Sequence, residues 1–537
     1  MKKILLIIVV LVSAFTGCTD QFEDFNTDKK NPAIVPGESL FSNAQKELAD
    51  YTSNTNVNIN IFKLMAQYWT ETTYIDEANY DLVTRNISTS IYFRMYLRVL
   101  TDLKEAAKLI DADAKMDAKE KQNKLQIIEV LNVYCYSHLV DVFGAIPYSE
   151  SLDVENVYPK YESGASIYTS LFTRLDAAIS KIDKSADSFG SLDLYYGGDT
   201  EAWVKFANML KVRMAITIAD ADDAKAKAAI EAAYANAFSS NSDDCKISYL
   251  TSSPNYNQLY ADLIASGRKD FVPANTIVDA MAEINDPRLN AYFRDKMEVQ
   301  FPKEGNVSQS DTILISQPIR LFYNDNTSAY KNPDSIVLKG DATKKVYGII
   351  VPQSDTILAP TYYLGGEYGF PNSYSQCSHI SATVEAPDFP GIMATYTEQC
   401  FYLAEAAERG YSVGKTAAEW YEEGIKASFD AWSVSGASAY LAKPEVAYAT
   451  ATGTWRQKIG IQSWIANYTR GYEAYNNWRR LDFPVLNLPE QATTYSDIPV
   501  RFTFPVNEQT LNAEQYKAGA LLVGGDVIGT KIFWDKY

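Results

Sequence analysis

Apolar residues recur along much of the chain at intervals of three and four. Ile91, Met95, Val99, Leu103 and Ile110 form one stripe, and Ile128, Leu131, Cys135 and Leu139 the next. Ile167, Leu171, Leu175, Ala178 and Ile182 follow, then Trp203, Phe206, Leu210, Met214 and Ile218. Each spacing puts its set on one face of a helix. Tyr396, Cys400, Leu403 and Ala407 mark a later helix that stops at Gly410, and Trp420, Ile425, Ser428 and Trp432 mark its partner. The pattern predicts helical hairpins over 88–111 with 117–142, 164–183 with 199–220, 395–409 with 415–433, and 455–468 with 471–480. Gly197-Gly198-Asp199 reads as a turn and N-cap before the Trp203 helix. The expected fold is mostly α, built of about four tetratricopeptide-like hairpins.

Between about 240 and 395 the pattern changes. Pro, Gly, Asn and Ser punctuate the chain, and tyrosines recur from Tyr256 to Tyr374. Thr312–Ile315 and Lys345–Val351 are strand candidates, and the rest reads as loops carried on the helical scaffold. A loop-rich segment of that length inside one domain points to function.

Composition narrows the chemistry. With 49 basic against 67 acidic residues the net charge is −18, which argues against a nucleic-acid surface, since that needs clustered Lys and Arg. Only two histidines occur, His138 and His379, so neither a zinc site nor a histidine-based triad is expected, and no metal or cofactor is called for. Carboxylate pairs such as Glu405/Glu408 and Asp76/Glu77 are inevitable among so many acids and do not define a glycosidase. Phosphate loops, nucleophile elbows and metal motifs are missing from the sequence, so the chain is read as no enzyme. The 38 Tyr and 8 Trp against 23 Phe favour rings that bury a face and keep a polar edge in water.

The start of the chain has its own pattern. Lys2 and Lys3 precede an apolar run from Ile4 to Val12, followed by Ser13-Ala14-Phe15-Thr16-Gly17-Cys18. This reads as an export signal over 1–17, too short to span a bilayer. Gly17-Cys18 fits a lipobox in which Cys18 is acylated, for instance with palmitate, and becomes the first mature residue; a conventional cut near Ala14 is the alternative. Phe15 is a loose match to the usual Leu. Residues 18–36 follow as a tether with an acidic start (Asp20, Glu23, Asp24, Asp28), and 37–537 as a single domain. Cys135 and Cys400 fall on apolar helix faces and read as core residues, and a Cys377–Cys400 bridge stays open.

Several strings are more specific than periodicity. They are Leu139-Val140-Asp141-Val142-Phe143-Gly144-Ala145-Ile146-Pro147-Tyr148; Tyr195-Tyr196-Gly197-Gly198-Asp199 with Trp203, Phe206-Ala207-Asn208 and Arg213; Asp286-Pro287-Arg288-Leu289; Leu403-Ala404-Glu405-Ala406-Ala407-Glu408-Arg409-Gly410; Glu473-Ala474-Tyr475 with Trp478-Arg479-Arg480; and Ile498-Pro499-Val500-Arg501-Phe502. Together with the lipobox, in this order from about 18 to 520, they resemble the SusD/RagB-like outer-membrane lipoproteins of Bacteroidetes. The resemblance implies a helical fold with an irregular ligand-bearing face. It also implies an outer-membrane location facing the exterior, nutrient binding without catalysis, and a SusC-like TonB-dependent transporter as partner, with the lipoprotein as its hinged lid. The nutrient is an oligosaccharide or a peptide. The motif residues themselves read as frame: Trp203 and Trp478 as core, Asp286 and Arg288 as pins of a turn, and Arg479, Arg480 and Arg501 as partners of acids.

Sugar sites combine aromatic faces with amide, carboxylate or Arg groups for the hydroxyl rim. Two regions supply both: 67–86, with Trp69, Tyr74, Tyr80 and Arg85, and the central segment, with Tyr323, Tyr330, Tyr362 and Tyr368. These eight are the candidate ligand residues. The competing reading is a scaffold that shapes a transporter mouth while its tyrosines stay buried.

Overall fold

The computed structural model describes residues 35–298, 312–315, 339–341, 346–350, 361–492, 495 and 497–537. The leader, Cys18 and most of the tether lie outside them, as do Tyr323 and Tyr330. The chain is mostly helical, as the periodicity predicts. Ala118–Phe143 is launched by Asp117, whose side chain accepts from the amides of Lys119 and Glu120, and is stopped by Gly144 at φ +80°. Asp199 caps Thr200–Thr217 through the amides of Glu201 and Ala202. Thr416 and Glu419 form a reciprocal capping box at the start of Ala417–Ala431. Tyr396–Glu408, Trp455–Ala466 and Gly471–Leu481 complete the expected pairs.

Helix Gly37–Ser53 was not among the expected hairpins; it packs on Thr101–Ala112. Its start is so close that a Cβ at Gly37 would lie 2.8 Å from the Ala106 carbonyl oxygen. The first expected hairpin is not a single α-helix either. Ile87–Phe93 passes through a π-helical stretch, Arg94–Leu100, before Thr101–Ala112 resumes. Helices Asp223–Ala233 and Ala513–Leu522 add further turns. The segment 240–395, read mostly as loops, also contains Asn275–Glu283, which buries Ile277, Val278 and Met281.

Strands are few and short. Trp69–Glu71 pairs antiparallel with Phe271–Pro273, Ala145–Pro147 with Tyr161–Ser163, and Gly391–Ala394 with Cys245–Ile247. Thr312–Ile315 and Val346–Ile350 pair as the expected strands, with Lys339–Asp341 on the far edge of Val346–Ile350. Among the described residues no helix is long and apolar enough to cross a membrane.

The recurring strings converge in the core. Arg213 donates to both carboxylate oxygens of Glu398 at 2.8 and 3.0 Å, and Arg470 reaches Glu398 at 2.7 Å and Glu473 at 3.2 Å. Glu405 is held between Arg409 and Arg480, and Arg409 also forks onto Asp220 at 2.8 and 2.9 Å. Asp141 accepts from the hydroxyls of Tyr168 and Tyr472 and from the Trp534 indole, while burial pushes its carboxyl up to about 6. Arg288 pairs with Asp286 inside the protein and lies over the rings of Phe429 and Tyr440. Arg501 pairs with Asp526, whereas Arg479 instead uses the Val500 carbonyl, Asn476 and the rings of Tyr475 and Trp534. Trp203 is fully buried; Trp478 is half-buried against Tyr475. Breaking one partner of such buried pairs costs about 3–5 kcal/mol. All four cysteines of the described part are buried and free, so Cys377 and Cys400 are not bridged.

Candidate ligand face

Strand Trp69–Glu71 runs into the protein and then leaves it. Its last ladder contacts are Thr72, whose amide donates to the Asp270 carbonyl at 2.8 Å and whose hydroxyl donates to that of Lys269 at 2.6 Å. Beyond Thr72 the chain turns sharply. Tyr74, Tyr80 and Asn86, and Gln67 just before the strand, all have φ between +54° and +66°, a conformation uncommon for residues with a side chain. Such strain concentrates at functional surfaces. The turn is held by polar groups: Glu71 accepts from the Ala78 amide at 3.1 Å, and Asp81 from the Thr84 amide and hydroxyl.

The same loop is clasped to the segment 363–379. Asn79 donates to the Gly369 carbonyl at 2.7 Å, and Asn372 donates to the Glu71 carbonyl at 3.2 Å. The two regions singled out by composition, almost three hundred residues apart, therefore meet.

The eight candidates divide. Tyr74 projects outward with 66 % of its surface exposed, and the Arg85 guanidinium stands 6.0 Å from its ring centre. Arg85 also pairs with Glu77, which fixes its position. Trp69, Tyr80 and Tyr368 are the correction: all three are buried and offer no open face for stacking. Trp69 donates its indole N–H to the Tyr468 hydroxyl at 3.0 Å, and Tyr368 donates to the Leu64 carbonyl at 3.0 Å. Tyr80 lies 6.5 Å from Tyr368, ring to ring. Trp69 lies on a strand whose three residues are all buried against Phe271–Pro273, and Tyr80 and Tyr368, outside that strand, are buried too, which spacing within 67–80 alone does not reveal. Tyr362 is described only as backbone, paired with Met297.

Other groups on this face were missed by sequence reasoning. Arg268 is exposed and within electrostatic reach of the Tyr74 phenol. Lys269 lies 5.0 Å over the ring of Tyr374, and Tyr374 stacks on His379 with ring centres 3.9 Å apart. His379 is fixed by Asp295 at 2.7 Å and by the Tyr374 carbonyl at 2.9 Å. The available signal was the basic turn Gly267-Arg268-Lys269-Asp270, placed just before a short apolar strand.

Behind the face sits a carboxyl pair. Glu71 and Glu77 share a hydrogen bond; burial and the neighbouring Glu77 charge push Glu71 up to about 9. Glu77 is also raised, chiefly by burial, with Arg85 opposing the shift. One carboxyl thus stays protonated and donates to the other. A raised acid is a catalytic hallmark where it faces a cleft, but Glu71 is only 3 % exposed and its oxygens serve the turn. Among the described residues no group of three or more His, Cys, Asp or Glu is placed to hold a metal ion.

A family described as starch-binding and associating with the outer membrane, the SusD-like family, matches residues 28–338 and 346–505. A chitin-binding protein of known structure is 24 % identical, with a TM-score of 0.71 over 93 % of this chain and 99 % of its own. A chitin-binding SusD homologue from Flavobacterium johnsoniae is 26 % identical, with a TM-score of 0.69 over 93 % of this chain and 97 % of its own. A SusD homologue from Bacteroides uniformis is 21 % identical, with a TM-score of 0.69 over 93 % of this chain and 99 % of its own. No curated protein matches the sequence. With its helical pairs, its buried motif residues and a family match over most of its length, the chain belongs to the SusD-like family.

Proposed function

We propose that this protein is a cell-surface lipoprotein, anchored through acylated Cys18, that binds a nutrient glycan without catalysis and serves as the lid of a SusC-like TonB-dependent importer. The observation that carries the binding is the open Tyr74 ring flanked by Arg85, with Tyr374 on the clasped neighbouring segment and Lys269, from the turn before Phe271–Pro273, over the Tyr374 ring. A pyranose stacks its C–H face on such a ring and gives its hydroxyls to the guanidinium. The chitin-binding relatives favour an N-acetylhexosamine oligomer over a peptide.

Calorimetric titration with chito-oligosaccharides tests the reading. Tyr74→Ala is expected to weaken binding about tenfold, equivalent to about 1.4 kcal/mol, at an unchanged melting temperature. A variant that binds like the wild type moves the site elsewhere. The lid and the anchor share a second test: mild-detergent extraction of outer membranes should recover the protein with a TonB-dependent transporter, while Cys18→Ala moves it to the soluble fraction. Recovery of free monomer only, across detergents, defeats the lid.

The burial of Trp69, Tyr80 and Tyr368 favours a second reading, a scaffold that shapes the transporter mouth without touching nutrient. That reading requires normal co-purification and no glycan binding by the wild type.

A further inference from the structure

A second concavity, of about 550 Å³, opens beside the π-helical stretch Arg94–Leu100. Arg94, Arg98, Asn56, Asn58, Phe93 and Glu47 are among its walls. None of them belongs to the ligand face described above. The π-helix, a form that recurs at functional sites, carries exposed Leu97 and Arg98, and Phe93, the residue before it, is exposed as well.

The charge of the cavity runs against that of the molecule. In a chain of net charge −18, its walls carry two arginines against the single acid Glu47, which approaches Arg94 only at 3.8 Å. Arg98 has no hydrogen-bond or ion-pair partner among the described residues. Asp262 lies by the backbone amides of Thr55 and Asn56, and burial raises its carboxyl. Asn56 uses its side-chain oxygen on the Asn58 amide and side chain. That leaves the Asn56 NH₂ and the Asn58 carbonyl facing no protein partner among the described residues. Phe93, 48 % exposed, adds an apolar ring at the rim.

A guanidinium without a protein anion is a fork for a carboxylate. Amides with free donor and acceptor sites suit hydroxyls, and an exposed ring suits a sugar C–H face. We propose that this concavity is a second saccharide subsite that takes a uronate residue, the carboxylate seated on Arg98 and Arg94. The proposal rests on the glycan-binding reading and adds to it a class of substrate: a chain that carries acidic sugars.

The test uses the full chain with galacturonate and glucuronate oligomers and, as controls, their methyl esters and chito-oligosaccharides. The wild type should bind the acid forms at least tenfold more tightly than the esters, with affinity falling as salt rises. Arg98→Gln, a change at an exposed and unpaired side chain, should abolish that preference without altering ester binding or melting temperature. Arg98→Lys should restore only part of it, since an ammonium keeps the charge and loses the fork. Equal affinity for acid and ester, or an Arg98→Gln variant that still prefers the acid, overturns the subsite. If chito-oligosaccharides bind in a Tyr74-dependent way and no uronate does, the subsite falls and the glycan reading stands. If no saccharide binds, both fall.

Discussion

Trp69 and Tyr74 lie five residues apart on one short stretch, and they have opposite fates. Trp69 is still within the strand, paired opposite Pro273, and its ring is led inward to Tyr468. Tyr74 comes after the last ladder bond, in a left-handed turn, and its ring stands in solvent beside Arg85. Composition treats the two alike; the backbone separates a ring that holds the fold from a ring free to meet a ligand. The lesson extends to Tyr80 and Tyr368, which pack against one another behind the same loop. The surface is thin, and a buried aromatic layer supports it.

The comparison can be broken most forcefully at Trp69. Removing a fully buried tryptophan costs about 3–5 kcal/mol, so Trp69→Ala should lower the melting temperature sharply and reduce binding only as the fold is lost. A Trp69→Ala protein with wild-type stability and lost affinity would make Trp69 a ligand ring after all.

Glu71 offers an intermediate effect, read through pH. Its folded carboxyl titrates near 9, well above the ordinary value of 4.5. Between those values the folded state holds a proton that the unfolded state has released. Stability from this group is therefore complete below about pH 4.5 and is lost as pH rises through 9. Glu71→Gln, which imitates the protonated form, should flatten the fall in melting temperature between pH 6 and 9. Parallel melting curves for variant and wild type would show that the carboxyl pair does not hold the shared proton.

The smallest effect is expected at Lys269. Its ammonium contributes about 0.5–1 kcal/mol over a half-buried ring at the surface such as Tyr374, so Lys269→Ala should leave melting unchanged and weaken glycan binding a few-fold at most. A loss larger than that of Tyr74→Ala, measured in the same titration, would shift the centre of the site from the early loop to Tyr374.

Much of the frame was legible from spacing. The stripes through Ile91, Ile128, Ile167 and Trp203 all fall on helices that bury them, because a three- and four-residue period has one structural meaning over several turns. The motif reading holds in part: Arg480 pairs with Glu405 and Arg501 with Asp526 inside the protein, whereas Arg479 pairs with no acid among the described residues. Helix Gly37–Ser53 carried its signal in Phe41, Ala44, Leu48 and Tyr51, four buried positions at helical intervals. The site was harder. Whether an aromatic at 69 or 80 faces in or out depends on partners such as Tyr468 and Tyr368, hundreds of residues away, and no local period encodes them.

The clasp between the early loop and the 363–379 segment bears on how specificity can change among relatives. Asn79 and Asn372 each spend their amides on the other segment's backbone. A transplant of one loop alone would break both cross-segment bonds, at about 0.5–1.5 kcal/mol each. Substrate preference should therefore be inherited as a two-piece cassette, and chimaeras that exchange both pieces together should fold where single exchanges fail.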